Sequence, residues 1–91
     1  MGDIVFEVLF PDPFSRELKK LEKKDCERIK EKLKEAAISP FHYFEKLEGF
    51  NLYRIRIGKF RVIASINFQQ KQITCISVGL RKNIYRNLKE T

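Results

Sequence analysis

The feature that most constrains the fold is a change in the spacing of apolar residues near residue 50. Before this point they recur every three or four positions, as on one face of a helix. After it, Tyr53, Ile55 and Ile57 alternate with Arg54 and Arg56, as in a strand with one buried face. Helices followed by strands are typical of an α+β protein. The helical stripes comprise Phe14, Leu18 and Leu21, then Cys26, Ile29, Leu33, Ala36 and Ala37.

The first half predicts one strand and two helices. Residues 4–10 are β-branched and aromatic and predict a strand that Pro11-Asp12-Pro13 ends. We expect Asp12 to cap the first helix and Asp25 the second, with Ser39-Pro40 ending the second helix. Since the link at about residues 24–25 is short, the helices should form an antiparallel pair. An aromatic connection over residues 41–44 follows.

The second half predicts three strands joined by short turns. Gly58-Lys59 should form a tight turn, residues 67–72 a second turn, and Gly79 should end a last strand over 73–78. We therefore predict an α+β fold with an N-terminal strand, an antiparallel helix pair, a three-stranded antiparallel meander packed on the helices, and a short C-terminal helix or tail. With 91 residues and 43% apolar composition, one domain over residues 1–91 is expected.

Several classes of protein do not fit this composition. Cys26 and Cys75 are far apart and lie in apolar-periodic segments, so we expect reduced core cysteines rather than a disulfide or metal site. The first ten residues carry acids and lack the basic start of a signal peptide, and no apolar run could span a membrane. A cytoplasmic protein is expected. The lone His42 is more often a surface or packing residue than a catalytic one.

The positive charge is concentrated in the second half of the chain. Residues 1–48 hold ten Lys/Arg and eleven Asp/Glu, residues 49–89 hold nine Lys/Arg and no acid, and Glu90 completes the sum, −1 + 9 − 1 = +7. Such uncompensated cations favour a polyanion, of which a phosphate backbone is the obvious example. The alternative is that the basic surface only aids solubility.

Five side chains of this half are expected to converge on one anionic site. Arg54 and Arg56 project from the same strand face, Arg61 begins the next strand across the hairpin, and Arg81 follows the third strand. Tyr85 lies one helical turn further on if that segment is helical. Guanidinium groups would stabilise the extra charge of a pentacoordinate phosphate, and their charge would favour the phenolate of Tyr85 as a base. The alternative is a packed tyrosine with a hydrogen-bonded hydroxyl.

RNA would suit this site because its 2′-OH supplies the nucleophile. The protein then needs to provide only a base, an acid and charge stabilisation, and no metal or other cofactor is required. No carboxylate is expected among the cations, which argues against a two-metal nuclease.

Three segments resemble the RelE/ParE toxin superfamily. They are Lys46-Leu47-Glu48-Gly49, YRIRIGKFRVI over residues 53–63, and Ser77-Val-Gly-Leu-Arg81 followed by Tyr85. The resemblance to the RelE-like branch of toxin–antitoxin systems implies a ribosome-dependent mRNA endoribonuclease that leaves a cyclic phosphate and inhibits translation. It implies catalytic roles for Arg54, Arg56, Arg61, Arg81 and Tyr85, and we expect RNA contacts at Lys46, Lys59, Lys82 and Arg86.

The resemblance also implies partners. They are a cognate RelB-like antitoxin that wraps the toxin in a hetero-oligomer, and the ribosome with mRNA in its A site. Some members carry lysine where this chain has Arg54 and Arg56; arginine does not readily transfer a proton, so the pair should act electrostatically. Two alternatives stay open: a ParE-like inhibitor of DNA gyrase that does not need Tyr85 beside Arg81, and a non-catalytic RNA-binding module, although exposed base-stacking aromatics are lacking.

Overall fold

The computed structural model describes residues 5–80, which form an α+β fold as predicted. The predicted C-terminal helix or tail lies outside the described residues. In chain order the elements are β1 (Glu7–Leu9), α1 (Asp12–Lys19), α2 (Lys23–Ile38), α3 (Pro40–Tyr43), β2 (Glu45–Lys46), β3 (Tyr53–Ile57), β4 (Phe60–Asn67) and β5 (Gln72–Leu80).

The strands form one sheet in the order β1-β5-β4-β3-β2. The predicted antiparallel meander is β3, β4 and β5, which pair in sequence. Two edges were not predicted. The two-residue strand β2 pairs antiparallel with β3, and β1 pairs parallel with β5, with Glu7 opposite Gln72. The meander is therefore flanked on both sides by strands from the first half of the chain.

The helices cover one face of the sheet and enclose the main core. Phe14 of α1 and Ile29 and Leu33 of α2 are fully buried against Ile55 and Val62 of the sheet. The apolar stripes of both helices and the apolar residues of β3 thus point inward as predicted. Burying each such side chain stabilises the fold by about 1.5–3 kcal/mol before the entropy cost of ordering it.

Both helices begin earlier relative to their acidic residues than predicted. The N-cap of α1 is Pro11 and that of α2 is Glu22, and neither side chain makes a capping hydrogen bond. Asp12 and Asp25 instead lie inside the first turns, where a carboxylate still interacts favourably with the positive end of the helix dipole. The prediction that they are N-caps was wrong, and the link between the helices is residues 20–22.

The predicted end of the second helix at Ser39-Pro40 is confirmed, but two features after it differ from the prediction. Most of the aromatic connection is the short helix α3, which begins at Pro40 because proline's fixed φ suits the first helical turn. Gly79 does not end the last strand: it pairs with Arg61, and β5 continues to Leu80. The strand pairing outweighs the weak strand propensity of glycine there.

Both cysteines are unpaired thiols, as predicted. Cys75 is fully buried in the main core, and this burial raises its pKa to about 12. The Cys26 Sγ donates a hydrogen bond at 2.8 Å to the Leu18 carbonyl oxygen, which also accepts one from the Leu21 N–H in the last turn of α1. Within residues 5–80, no helix combines the length and apolarity needed to cross a membrane.

Candidate functional site

Three arginines lie together on the sheet face turned away from the helices. Arg56 of β3 is directly opposite Arg61 of β4, and Arg54 is two residues along the same strand. Directly paired residues share a face, and so do residues two apart in one strand. The intervening Ile55 and Ile57 are buried in the core on the other face. We call Arg54, Arg56 and Arg61 the arginine cluster.

The three arginines differ in exposure. Arg61 is only 5% exposed, the Arg54 side chain is 25% exposed, and Arg56 is exposed to solvent. The ladder partner of Arg61 on β5 is Gly79, and a Cβ added at Gly79 would meet no described atom within 4 Å. Glycine therefore places no side chain beside Arg61 on β5, the strand that Arg81 follows in the chain.

One carboxylate approaches the cluster, which the sequence did not predict. Glu45 of β2 is opposite Arg54, and its Oε1 lies 3.5 Å from the Arg54 Nε. The prediction of a carboxylate-free site was therefore wrong at this edge. Glu45 precedes the acid-free segment, and only the pairing of β2 with β3 brings it there. Its side chain is 63% exposed, so the ion pair contributes at most about 1 kcal/mol.

A small apolar cluster lies on the same face as the arginines. Ile63 is opposite Arg54 in the ladder and fully buried, and it packs with Leu47 and Leu52. Strand alternation alone would place a polar residue at position 63, so an isoleucine there was the available signal. Apolar neighbours exclude water, and exclusion of water strengthens the interaction of nearby guanidinium groups with an anion.

The other predicted site residues, and His42, lie in four different places. Lys59 is exposed in the β3–β4 turn, with its Nζ 5.5 Å from the centre of the Phe60 ring. Lys46 is opposite Tyr53, so the register places it on the face away from the arginine cluster. His42 is exposed on α3 with its ring against Tyr43. The predicted residues Arg81, Lys82, Tyr85 and Arg86 lie outside the described residues.

The described residues offer little for a metal ion. Between residues 5 and 80, no three His, Cys, Asp or Glu side chains come together as a set of metal ligands. The site as described is three guanidinium groups, one of them paired with Glu45, beside an apolar cluster, and its net positive charge gives it the chemistry of an anion-binding surface.

Comparison with protein families decides what kind of protein carries this site. Residues 8–85 match the model of the ParE toxin of the type II toxin–antitoxin system, parDE. The chain belongs to this family. A comparison with curated protein sequences gives no match.

Solved structures place the toxin near RelE within the superfamily. The RelB–RelE complex of Methanococcus jannaschii is 30% identical over 85% of this chain and 94% of that chain, with a TM-score of 0.66. The RelE–RelB complex of Pyrococcus horikoshii is 28% identical over 87% and 98%, with a TM-score of 0.74. A mutant Escherichia coli RelE in the free state is 25% identical over 92% of each chain, with a TM-score of 0.77. The predicted resemblance is confirmed: this is a RelE-like toxin of a type II system.

Proposed function

We propose that the toxin is a ribosome-dependent mRNA endoribonuclease that cleaves by metal-independent attack of the RNA 2′-OH. The observation that carries this proposal is the arginine cluster, three guanidinium groups from two adjacent strands on one sheet face. The similarity of the chain to RelE structures supports the same assignment. The ribosome with mRNA in its A site is the proposed substrate, and the cytoplasm the proposed location.

The proposed reaction needs one base, one acid and stabilisation of negative charge. The base takes the proton of the 2′-OH, the 2′-oxygen bonds to phosphorus, and the bond from phosphorus to the 5′-oxygen breaks. The leaving 5′-oxygen receives a proton, and the 3′ end keeps a 2′,3′-cyclic phosphate. Phosphorus passes through a pentacoordinate state that carries extra negative charge, and guanidinium groups stabilise it.

The roles of the individual residues follow from their side chains. Arginine stays protonated at all relevant pH values, so Arg54, Arg56 and Arg61 supply charge and hydrogen bonds rather than protons. We assign the base to Tyr85 and place Arg81 nearest the leaving 5′-oxygen. In the chain Arg81 directly follows Leu80, two residues after the ladder partner of Arg61. Lys82 and Arg86 remain proposed RNA contacts.

A cognate antitoxin is the second proposed partner. The similar structures from M. jannaschii and P. horikoshii are complexes of RelE with RelB. We propose that a RelB-like antitoxin binds this toxin in a hetero-oligomer, and that its binding prevents access of RNA to the arginine cluster.

Cleavage in a translating extract tests the proposal, with mRNA ends mapped at stalled ribosomes. Arg56→Ala should lower the cleavage rate about 10²- to 10³-fold, because a well-placed donor to a transition state contributes roughly 3–4 kcal/mol. Arg81→Ala and Tyr85→Phe should each abolish cleavage. Lys34→Ala, which removes an exposed cation from α2, is the matched control and should cleave like the parent.

Two results would contradict the proposal. One is a parent toxin that arrests growth without producing any ribosome-linked mRNA ends. The other is toxicity that survives both Arg81→Ala and Tyr85→Phe. In either case DNA supercoiling by gyrase should be assayed next, since inhibition there would assign the toxin to the ParE-like alternative.

A further inference from the structure

A second group of cations lies around a cleft between the start of α2 and the β3–β4 turn. The cleft has a volume of about 390 Å³ and is lined by Glu22, Lys24, Asp25, Arg28, Lys59 and Phe60. We call it the hairpin cleft. It contains none of the arginine cluster, and neither Lys24 nor Arg28 has a role in the proposed cleavage.

Arg28 joins the two walls of this cleft. A Cβ placed on Gly58 would lie 3.2 Å from the Arg28 Nη1, so the guanidinium rests against the turn. Gly58 has a φ of 60°, which hairpin turns require and glycine adopts without strain. The absence of a side chain at the turn therefore leaves room for the guanidinium of Arg28.

The charges of the cleft suit a single phosphodiester. Lys24, Arg28 and Lys59 supply three positive charges and Glu22 and Asp25 two negative ones, a balance of +3 − 2 = +1. The three cations are all exposed, so a ligand can reach them from solvent. A compact monoanion matches this balance better than a large polyanionic surface would.

The turn that lines the cleft also connects the two strands of the arginine cluster. Lys59 lines the cleft, and it is three residues after Arg56 and two before Arg61, a span of at most about 10 Å of backbone. On the other side, the groove along α2 is lined by as many acids as cations and has no net charge: Glu27, Glu31 and Glu35 against Lys24, Arg28 and Lys32. The excess of cations thus runs from one sheet face, over the turn, to the first turns of α2.

We propose that the hairpin cleft binds an RNA phosphate outside the cleavage site, through Lys24, Arg28 and Lys59. This inference rests on the proposed function and extends it to the RNA that flanks the cut. The phosphate belongs either to the strand held at the arginine cluster or to the RNA of the ribosome itself. Both have the same chemistry, and the experiment distinguishes them.

The test measures binding rather than cleavage. The probe is a fluorescent 12-nucleotide single-stranded RNA with 2′-O-methyl groups, which removes the attacking hydroxyl. Anisotropy titrations between 50 and 200 mM salt should show weaker binding of the double variant Lys24→Ala/Arg28→Ala. If each cation contacts one phosphate, the slope of log K against log salt becomes less negative by about 1.4, and affinity at 0.1 M salt falls about 25-fold.

The matched control is Lys30→Ala/Lys34→Ala. It removes two exposed cations from the same helix, neither of which lines the hairpin cleft. Its affinity should stay within about twofold of the parent, because distant exposed charges are screened at this salt concentration. Urea denaturation of both double variants checks that each is folded as stably as the parent.

Two arms separate the sources of the phosphate. Loss of affinity for the 12-mer but not for a 2′-O-methyl trinucleotide assigns the cleft to the bound strand. Loss of binding to ribosomes alone, in a sedimentation assay, assigns it to ribosomal RNA. If Lys24→Ala/Arg28→Ala matches the control in both assays, the proposal is overturned. Failure of the nuclease proposal would appear separately, as a parent toxin that binds RNA but cuts none.

Discussion

Among the described residues, Arg61 is the charged side chain that is buried. Removing a guanidinium from water costs several kcal/mol, which hydrogen bonds and an opposite charge must offset. A hydrophobic side chain at this sheet position would carry no such cost. An arginine here therefore favours a role in binding an anion over a role in stability.

The thiol of Cys75 predicts how stability depends on alkaline pH. Its pKa is raised from 9.0 to about 12 in the folded protein, so the unfolded chain releases the proton first. The stabilisation is complete below pH 9 and is lost as pH rises towards 12, at up to about 1.4 kcal/mol per pH unit. Urea denaturation at pH 8, 9 and 10 should show this fall in the free energy of unfolding.

The variant Cys75→Ala isolates this effect. It lowers stability at every pH because it leaves a small cavity, but it should reduce the slope between pH 9 and 10 relative to the parent. An unchanged slope would show that other groups cause the alkaline loss. Alkylation by iodoacetamide at pH 8 gives a second measurement, in which Cys75 of the folded parent should react far more slowly than after unfolding.

Single residues were predicted best where a local pattern decides their position. Alternation in β3 placed Arg54 and Arg56 on one face, and the short hairpin placed Arg61 beside them. Glu45 could not be placed in this way, because it reaches Arg54 only through the pairing of β2 with β3. Arg81 and Tyr85 lie outside the described residues, and their roles stay predictions.

At the scale of elements, the β3–β4 hairpin depends on its glycine. Gly58→Ala should lower the free energy of unfolding by about 1–2 kcal/mol, because a φ of 60° is unfavourable for a residue with a Cβ. The new methyl group would also press on the Arg28 guanidinium at 3.2 Å. Urea denaturation at neutral pH measures the change.

Gly79→Ala is the control for this prediction. Gly79 lies in β5, has no positive φ, and leaves open space where its Cβ would go. Alanine there should be neutral or stabilise slightly, since it restricts the unfolded chain. Equal losses in the two variants would show that the strain at Gly58 is not the cause.

The elements themselves were largely predictable, but several of their ends were not. The stripes of α1 and α2 follow from their apolar spacing, whereas the helix starts depend on backbone geometry at Pro11 and Glu22. The strand β2 has two residues and carries no periodicity that a sequence could reveal. The sequence wrongly predicts a break at Gly79, because local propensity carries no information about its pairing with Arg61 of β4.

At the scale of the whole molecule, the small core leaves a narrow stability margin. Leu33 is fully buried, and Leu33→Ala should cost about 2–5 kcal/mol, a large part of the total for a domain of this size. Since each kcal/mol lowers Tm by about 4–8 °C in a small domain, thermal unfolding should shift down by roughly 10–40 °C. The exposed neighbour Lys34 gives the control, and Lys34→Ala should change Tm by only a few degrees.

The architecture as a whole was predicted further than its sheet order. Two-residue alternation and short turns predict the meander, and helical stripes predict a cover on one face. The position of β1 does not follow from either, because its partner β5 lies 65 residues away, from Glu7 to Gln72. Parallel pairing at such a distance is set by the packing of the whole core rather than by local pattern.

That long-range parallel pair has a consequence for how the chain matures. The edge strand near the N-terminus cannot dock until β5, which follows every other described element, has been synthesised. Contacts between distant segments also slow folding, since the intervening loop must close first. The pairing of β1 therefore waits until β5 has been made, so a nascent chain stopped before residue 72 lacks the strand that both β1 and β4 need.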